Sequence, residues 1–146
     1  NANQAMERVI NFLPEDAHHQ LLIDLSLNLA GVVSQRLIPG LHEKLVPAVE
    51  VMLNSPYIAD LIAKGEFSGI KETMGRSTEI GMCTFDQALY ALYTEGRISL
   101  EEALHNADSR PDLALRVRLA AGVSTSDAGE LSIDTSTPLQ SASRLS

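Results

Sequence analysis

The chain is poor in cysteine, with one thiol, Cys83, in 146 residues. That excludes an internal disulfide and any zinc site built from several thiolates. It is short of positive charge. Lys plus Arg number 11 against 19 Asp plus Glu, a formal net charge of −8. A nucleic-acid binder needs a basic patch, so this balance argues against one. No apolar run approaches the roughly 18 residues that read as a membrane-spanning helix, so no direct membrane insertion is expected. No Gly-Lys pair occurs anywhere. A phosphate-binding loop needs Gly-Lys followed by Ser or Thr, so that backbone N–H groups and the lysine can hold phosphate. By itself this stretch cannot hydrolyse a nucleotide by that route. An initial methionine is also lacking, which predicts a piece of a longer chain.

What is present predicts a soluble, acidic domain. The length matches one domain, and 45% hydrophobic residues are enough for one core. The composition changes near the end. Residues 121–146 hold seven Ser and three Thr, with no aromatic and no lysine. Such a stretch cannot bury enough apolar surface to offset its ordering entropy. The expected division is therefore a folded part, 1–122, and a disordered Ser/Thr-rich tail, 123–146.

The folded part reads as short helices around one hairpin. Ala5, Met6, Val9, Ile10 and Leu13 share one helical face, with Asn3 as the N-cap and Pro14 as the stop. A second helix opens with Glu15 and Asp16, suited to the positive end of the dipole, and runs through Leu29, Val32 and Val33. Arg36–Pro39 and Leu45–Leu53 flank a polar turn and predict a β-hairpin. Pro47 belongs at an edge or bulge. Glu50 alternates against its β-branched neighbours.

Ser55 caps a helix that begins with Pro56 and closes at Lys64-Gly65. Phe67, Ile70 and Met74 predict another helix. Thr84 with Gln87 and Ser99 with Glu102 form two capping boxes. A last helix follows Pro111 and stops at Gly122.

Candidate chemistry is sparse. His18 and His19 are adjacent, so they point to different faces of a helix and cannot share a metal as an i,i+4 pair does. Cys83 has no histidine close in sequence to serve as its base, so a structural thiol is expected. Glu101, Glu102, Asp108 and Asp112 read as solvated helix ends, where the dipole favours acids. The Pro56–Lys64 helix carries an apolar stripe, Ile58, Leu61 and Ile62. Core packing is its plainer reading, and a surface helix that passes motion to a partner is the functional one.

The order of blocks then becomes informative. Asn1–Glu15 resembles the stretch after the histidine box of type IV pilus retraction ATPases. Leu25–Leu29, Val33–Pro39 and Ala48–Leu53 are similar to the blocks that follow, and Gly81–Leu89 with Leu92-Tyr93 and Gly96–Ser99 is similar to the C-terminal signature. The resemblance covers most of residues 1–120, is carried by order and spacing together, and leans to the PilU branch of this PilT/PilU family.

The resemblance implies an α/β fragment, mostly α. It would comprise the last strands, a β-hairpin, of a RecA-like P-loop NTPase sheet plus a C-terminal helical subdomain. It implies a hexameric parent that uses ATP and Mg, bound by boxes upstream of Asn1, to drive pilus disassembly. It also implies a place in the cytoplasm at the inner membrane, beside a paralogous retraction ATPase and the inner-membrane platform protein. No catalytic residue and no metal ligand falls in this segment.

A retraction helix of the family, Ala-Ile-Arg-Asn-Leu-Ile-Arg-Glu, aligns with Tyr57–Lys64, where Ile58, Leu61 and Ile62 match and Asp60 replaces the asparagine. These four residues form the implied partner-coupling helix. Substitutions at Ile58 or Leu61 are expected to impair twitching with folding largely intact. Two other readings compete. One is a stand-alone acidic helical interaction module without enzymatic activity. The other is an extension or secretion ATPase, although extension ATPases usually carry a tetracysteine site that one thiol cannot supply.

Overall fold

The computed structural model describes residues 1–122, and the expected tail, 123–146, lies outside the described residues. Two helices come first, α1 (Ala2–Asn11) and α2 (Glu15–Asn28). An antiparallel hairpin follows, β1 (Gly31–Pro39) and β2 (Leu45–Leu53). Five helices complete the described fold: α3 (Pro56–Lys64), α4 (Ser68–Arg76), α5 (Phe85–Thr94), α6 (Leu100–Asn106) and α7 (Arg110–Ala120). A single 3₁₀ turn, Thr78–Ile80, lies between α4 and α5.

Three local expectations need correction. The N-cap of α1 is Asn1, whose side chain accepts from the Gln4 N–H while Gln4 reaches back. Asn3 instead points its amide at the Phe67 carbonyl, 2.9 Å away. The second helix stops at Asn28, so Val32 and Val33 belong to β1, opposite Met52 and Val51. Their spacing also fits a helix, but β-branched side chains pack well on a pleated surface, and the pairing decides. Ser99 caps α6 alone, because the Glu102 carboxylate is taken by Asn106 at 3.2 Å.

The hairpin pairs Gly31 with Leu53 and Pro39 with Leu45 in unbroken register. Its turn is held from outside. Leu41 donates its N–H to the Arg97 carbonyl at 2.9 Å, and Arg97 meets Glu43 at 2.9 Å. On the far side of β2, Val51 and Cys83 exchange two backbone hydrogen bonds of 2.8 and 3.0 Å.

The hairpin's inner face divides the core in two. Met52 packs with Ala2, Met6, Ile58, Ile62, Ile70 and Met74. Ile38, Val46 and Ala48 pack with Phe85, Leu89, Leu92, Ile98 and Leu113. Glu50 stands on the same face, between Ala48 and Met52, and is buried. The outer face is different. It is also largely apolar, yet Val33 is 71% exposed and Leu37 55%, with Leu45 and Leu53 open beside them. A sheet face of this composition normally lies against another layer.

Candidate functional site

Helix α3 is fixed at both ends by its own sequence. Ser55 accepts from the Ile58 N–H, Pro56 fills the first turn without a wasted donor, and Gly65 closes the helix in a left-handed conformation. Ile58 and Ile62 are fully buried and Leu61 nearly so. The three apolar members of the expected coupling set therefore face the core. Asp60 faces solvent beside Tyr57, and pairs with Lys64 at 2.6 Å. Asp60 holds the Lys64 ammonium above its ordinary pKa through that hydrogen bond and its charge.

This burial corrects one expectation. Shortening Ile58 or Leu61 removes packed core atoms, so such changes act on folding first. The start of α3 is also tied to the end of α2. Asn54, just before the cap, donates to the Ser26 and Leu29 carbonyls at 2.9 and 2.8 Å. Those carbonyls would otherwise lack partners at a helix C-terminus.

A second constellation was not legible in the sequence. Asp108 accepts from Arg36 at 2.7 Å and from the Asn1 amide at 2.9 Å, with Lys71 at 3.7 Å. Asp86 receives Lys71 at 3.0 Å and the backbone N–H of Asp108 at 2.7 Å. Arg36 also donates to the Asn106 carbonyl and lies over the Phe85 ring, 4.0 Å from its centre. Five parts of the chain thus meet on two carboxylates. Burial of Asp108 works against its charged form, but the Asn1 and Arg36 hydrogen bonds and the charges of Arg36 and Lys71 prevail. Its pKa lies below the ordinary carboxylate value. The expectation for Asp108 is a solvated helix end; it is instead a mostly buried junction, its side chain 11% exposed.

Glu50 forms a third feature. Its two oxygens accept from Ala2 N–H at 2.6 Å and Phe85 N–H at 3.3 Å, the first residues of α1 and α5. Both partners are helix N-termini, where anions are favoured. Cys83 lies nearby. Burial, and secondarily the charge of Glu50, push its thiol up in pKa, so it is a poor nucleophile.

Among the described residues no three His, Cys, Asp or Glu side chains come together as a metal site. The carboxylates of Glu50, Asp86 and Asp108 are already occupied by the chain's own N–H groups, Arg36 and Lys71. What the described fold offers is a braced helical layer in which α3 turns Tyr57 and Asp60 to solvent.

No family model matches the chain. Individual relatives do. It is 56% identical to the type IV pilus ATPase PilU of Pseudomonas aeruginosa over 133 residues, 90% of this chain and 34% of that protein. The chain belongs to the PilT/PilU family.

PilT of the same bacterium, a type IV pilus retraction ATPase, is 30% identical over 73% of this chain and 31% of its own length. The fold agrees. A crystal structure of the pilus retraction motor PilT with bound ADP superposes with a TM-score of 0.69 at 29% identity, over 78% of this chain and 32% of that one. The ATPase DotB of Legionella pneumophila shares the fold at 14% identity and a TM-score of 0.56. The chain spans about a third of the length of these PilT/PilU relatives.

Proposed function

We propose that this chain is the C-terminal part of the core domain of a pilus retraction ATPase. Its parent is a hexamer in which ATP hydrolysis drives type IV pilus disassembly and twitching motility. The 56% identity to PilU over nine-tenths of the chain carries this reading. In it, residues 1–122 comprise the last two strands of a RecA-like sheet and the helical subdomain that follows. ATP and Mg are held by boxes upstream of Asn1. The parent works in the cytoplasm at the inner membrane, with a paralogous retraction ATPase and the pilus platform protein as partners.

The open outer face of the hairpin supports the same reading. Val33, Leu37, Leu45 and Leu53 form an apolar surface with no cover among the described residues. The remaining two-thirds of a PilU-length protein supplies a layer for it. Within the subdomain, α3 is the coupling element. Ile58, Leu61 and Ile62 seat the helix against the core, and Asp60, with Tyr57, presents the surface that a partner touches. The reading is tested by the reading frame upstream of the Asn1 codon. A Gly-x-x-x-x-Gly-Lys-Ser/Thr loop followed by acidic and histidine boxes is the expected result. A start codon directly before Asn1 would leave the stand-alone interaction module instead.

A further inference from the structure

The corner between α1 and α2 carries the most exposed large apolar side chain among the described residues. Phe12, at the end of α1, is 85% exposed, and Leu13, Pro14, Glu15 and Asp16 beside it are open as well. Phe12 belongs to neither core. Arg8, also exposed, lies one helical turn before it. The corner is thus an aromatic knob with a cation one turn before it and two carboxylates after it.

A hollow of the complementary kind lies elsewhere on the chain. Between α5 and α7 there is an open space of about 370 Å³, with Tyr90, Tyr93, Thr94, Gly96 and Val117 in its lining. Two tyrosines and a valine give it apolar walls, and an aromatic side chain stacks on tyrosine rings or meets them edge to face. Arg116 lies over the Tyr90 ring, 4.3 Å from its centre. Glu95 stands exposed between Thr94 and Gly96. The hollow therefore carries the charges that the knob lacks partners for. Among the described residues Arg8, Glu15, Asp16, Glu95 and Arg116 enter no ion pair.

The knob does not fill the hollow of its own chain, because Phe12 is open and α1 packs in the first core while α5 and α7 pack in the second. A knob and a hollow at different places on one molecule make a heterologous contact. Such a contact passes from copy to copy and closes into a ring where the rotation allows. We propose that Phe12 of a second copy occupies the α5–α7 hollow, with its Glu15 and Asp16 against Arg116 and its Arg8 against Glu95. The proposal rests on the hexameric parent and names one contact between neighbours in it. An aromatic anchor in a pocket is where interface energy concentrates, and complementary charges at its rim fix the pairing.

The test uses the full-length parent in a background free of other cysteines. Phe12→Cys and Thr94→Cys are placed in one chain, which is treated with a short bis-maleimide and run on a denaturing gel. Both positions are exposed, so the changes spare the core. A ladder of cross-linked subunits up to the hexamer is expected, and neither single variant should give one. Arg116→Glu added to the pair should abolish the ladder, and Glu15→Arg with Asp16→Arg added to that should restore it. A parent that sediments as a hexamer but gives no ladder overturns the contact and leaves the hexamer standing. A cross-link confined to one chain places the knob in its own hollow and overturns the contact equally. A parent that sediments as a monomer overturns the hexamer and the contact together.

Discussion

Glu50 accepts the backbone N–H of Ala2 at 2.6 Å, across 48 residues of sequence. Its other oxygen takes the Phe85 N–H, so one buried carboxylate joins the starts of α1 and α5 at the seam between two cores. Each buried N–H left without an acceptor costs about 1–3 kcal/mol. Glu50→Ala orphans two, so a loss of about 2–6 kcal/mol is expected by urea unfolding. Glu50→Gln keeps one acceptor oxygen and should lose less. If Glu50→Ala unfolds with the wild type, the bridge contributes nothing.

Substitutions on the two faces of α3 distinguish stability from the proposed coupling. Ile58→Ala and Ile62→Ala should each cost about 2–5 kcal/mol, as truncations in a packed core do. Tyr57→Ala and Asp60→Ala touch an exposed face and should stay within about 0.5 kcal/mol of wild type. In the full-length parent, the second pair should impair twitching while the protein remains folded and hydrolyses ATP. Normal twitching in the Tyr57→Ala/Asp60→Ala double variant would remove α3 as the coupling surface.

The Asp108 junction sets an acid limit. Its folded pKa is lowered, so its stabilisation is fully present above the unfolded value, about 3.9 for Asp. That stabilisation disappears as pH falls through the lower folded value, because the unfolded chain binds the proton first. Thermal melts should therefore show a steeper loss below about pH 4 in wild type than in Asp108→Asn, which is less stable at neutral pH. Parallel acid profiles for the two proteins would contradict this assignment.

Cys83 should resist thiol reagents at neutral pH in the folded chain, since burial raises its pKa. Reaction in urea should be many times faster. Equal rates in both would mean the thiol is open and unshifted.

Much of the local structure was legible because its causes are local. Ser55-Pro56 opened α3, Gly65 closed it, and Thr84 with Gln87 formed the expected capping box. Strand β2 began and ended as its pattern indicated, at Leu45 and Leu53. Strand β1 was half missed, because Val32 and Val33 fit helical and strand spacing equally and only the partner strand decides. Glu50 was visible as alternation, yet alternation does not say which face is buried. Asp86, Asp108, Arg36 and Lys71 could not be associated at all. They meet from four separate segments, and each acid taken alone fits a solvated helix end.

The most direct measurement is ATP hydrolysis by the purified full-length parent, beside a variant lacking the phosphate-loop lysine encoded upstream. Hydrolysis that disappears with that lysine is the expected result. A full-length parent that neither carries the loop nor hydrolyses ATP would contradict the retraction-ATPase reading.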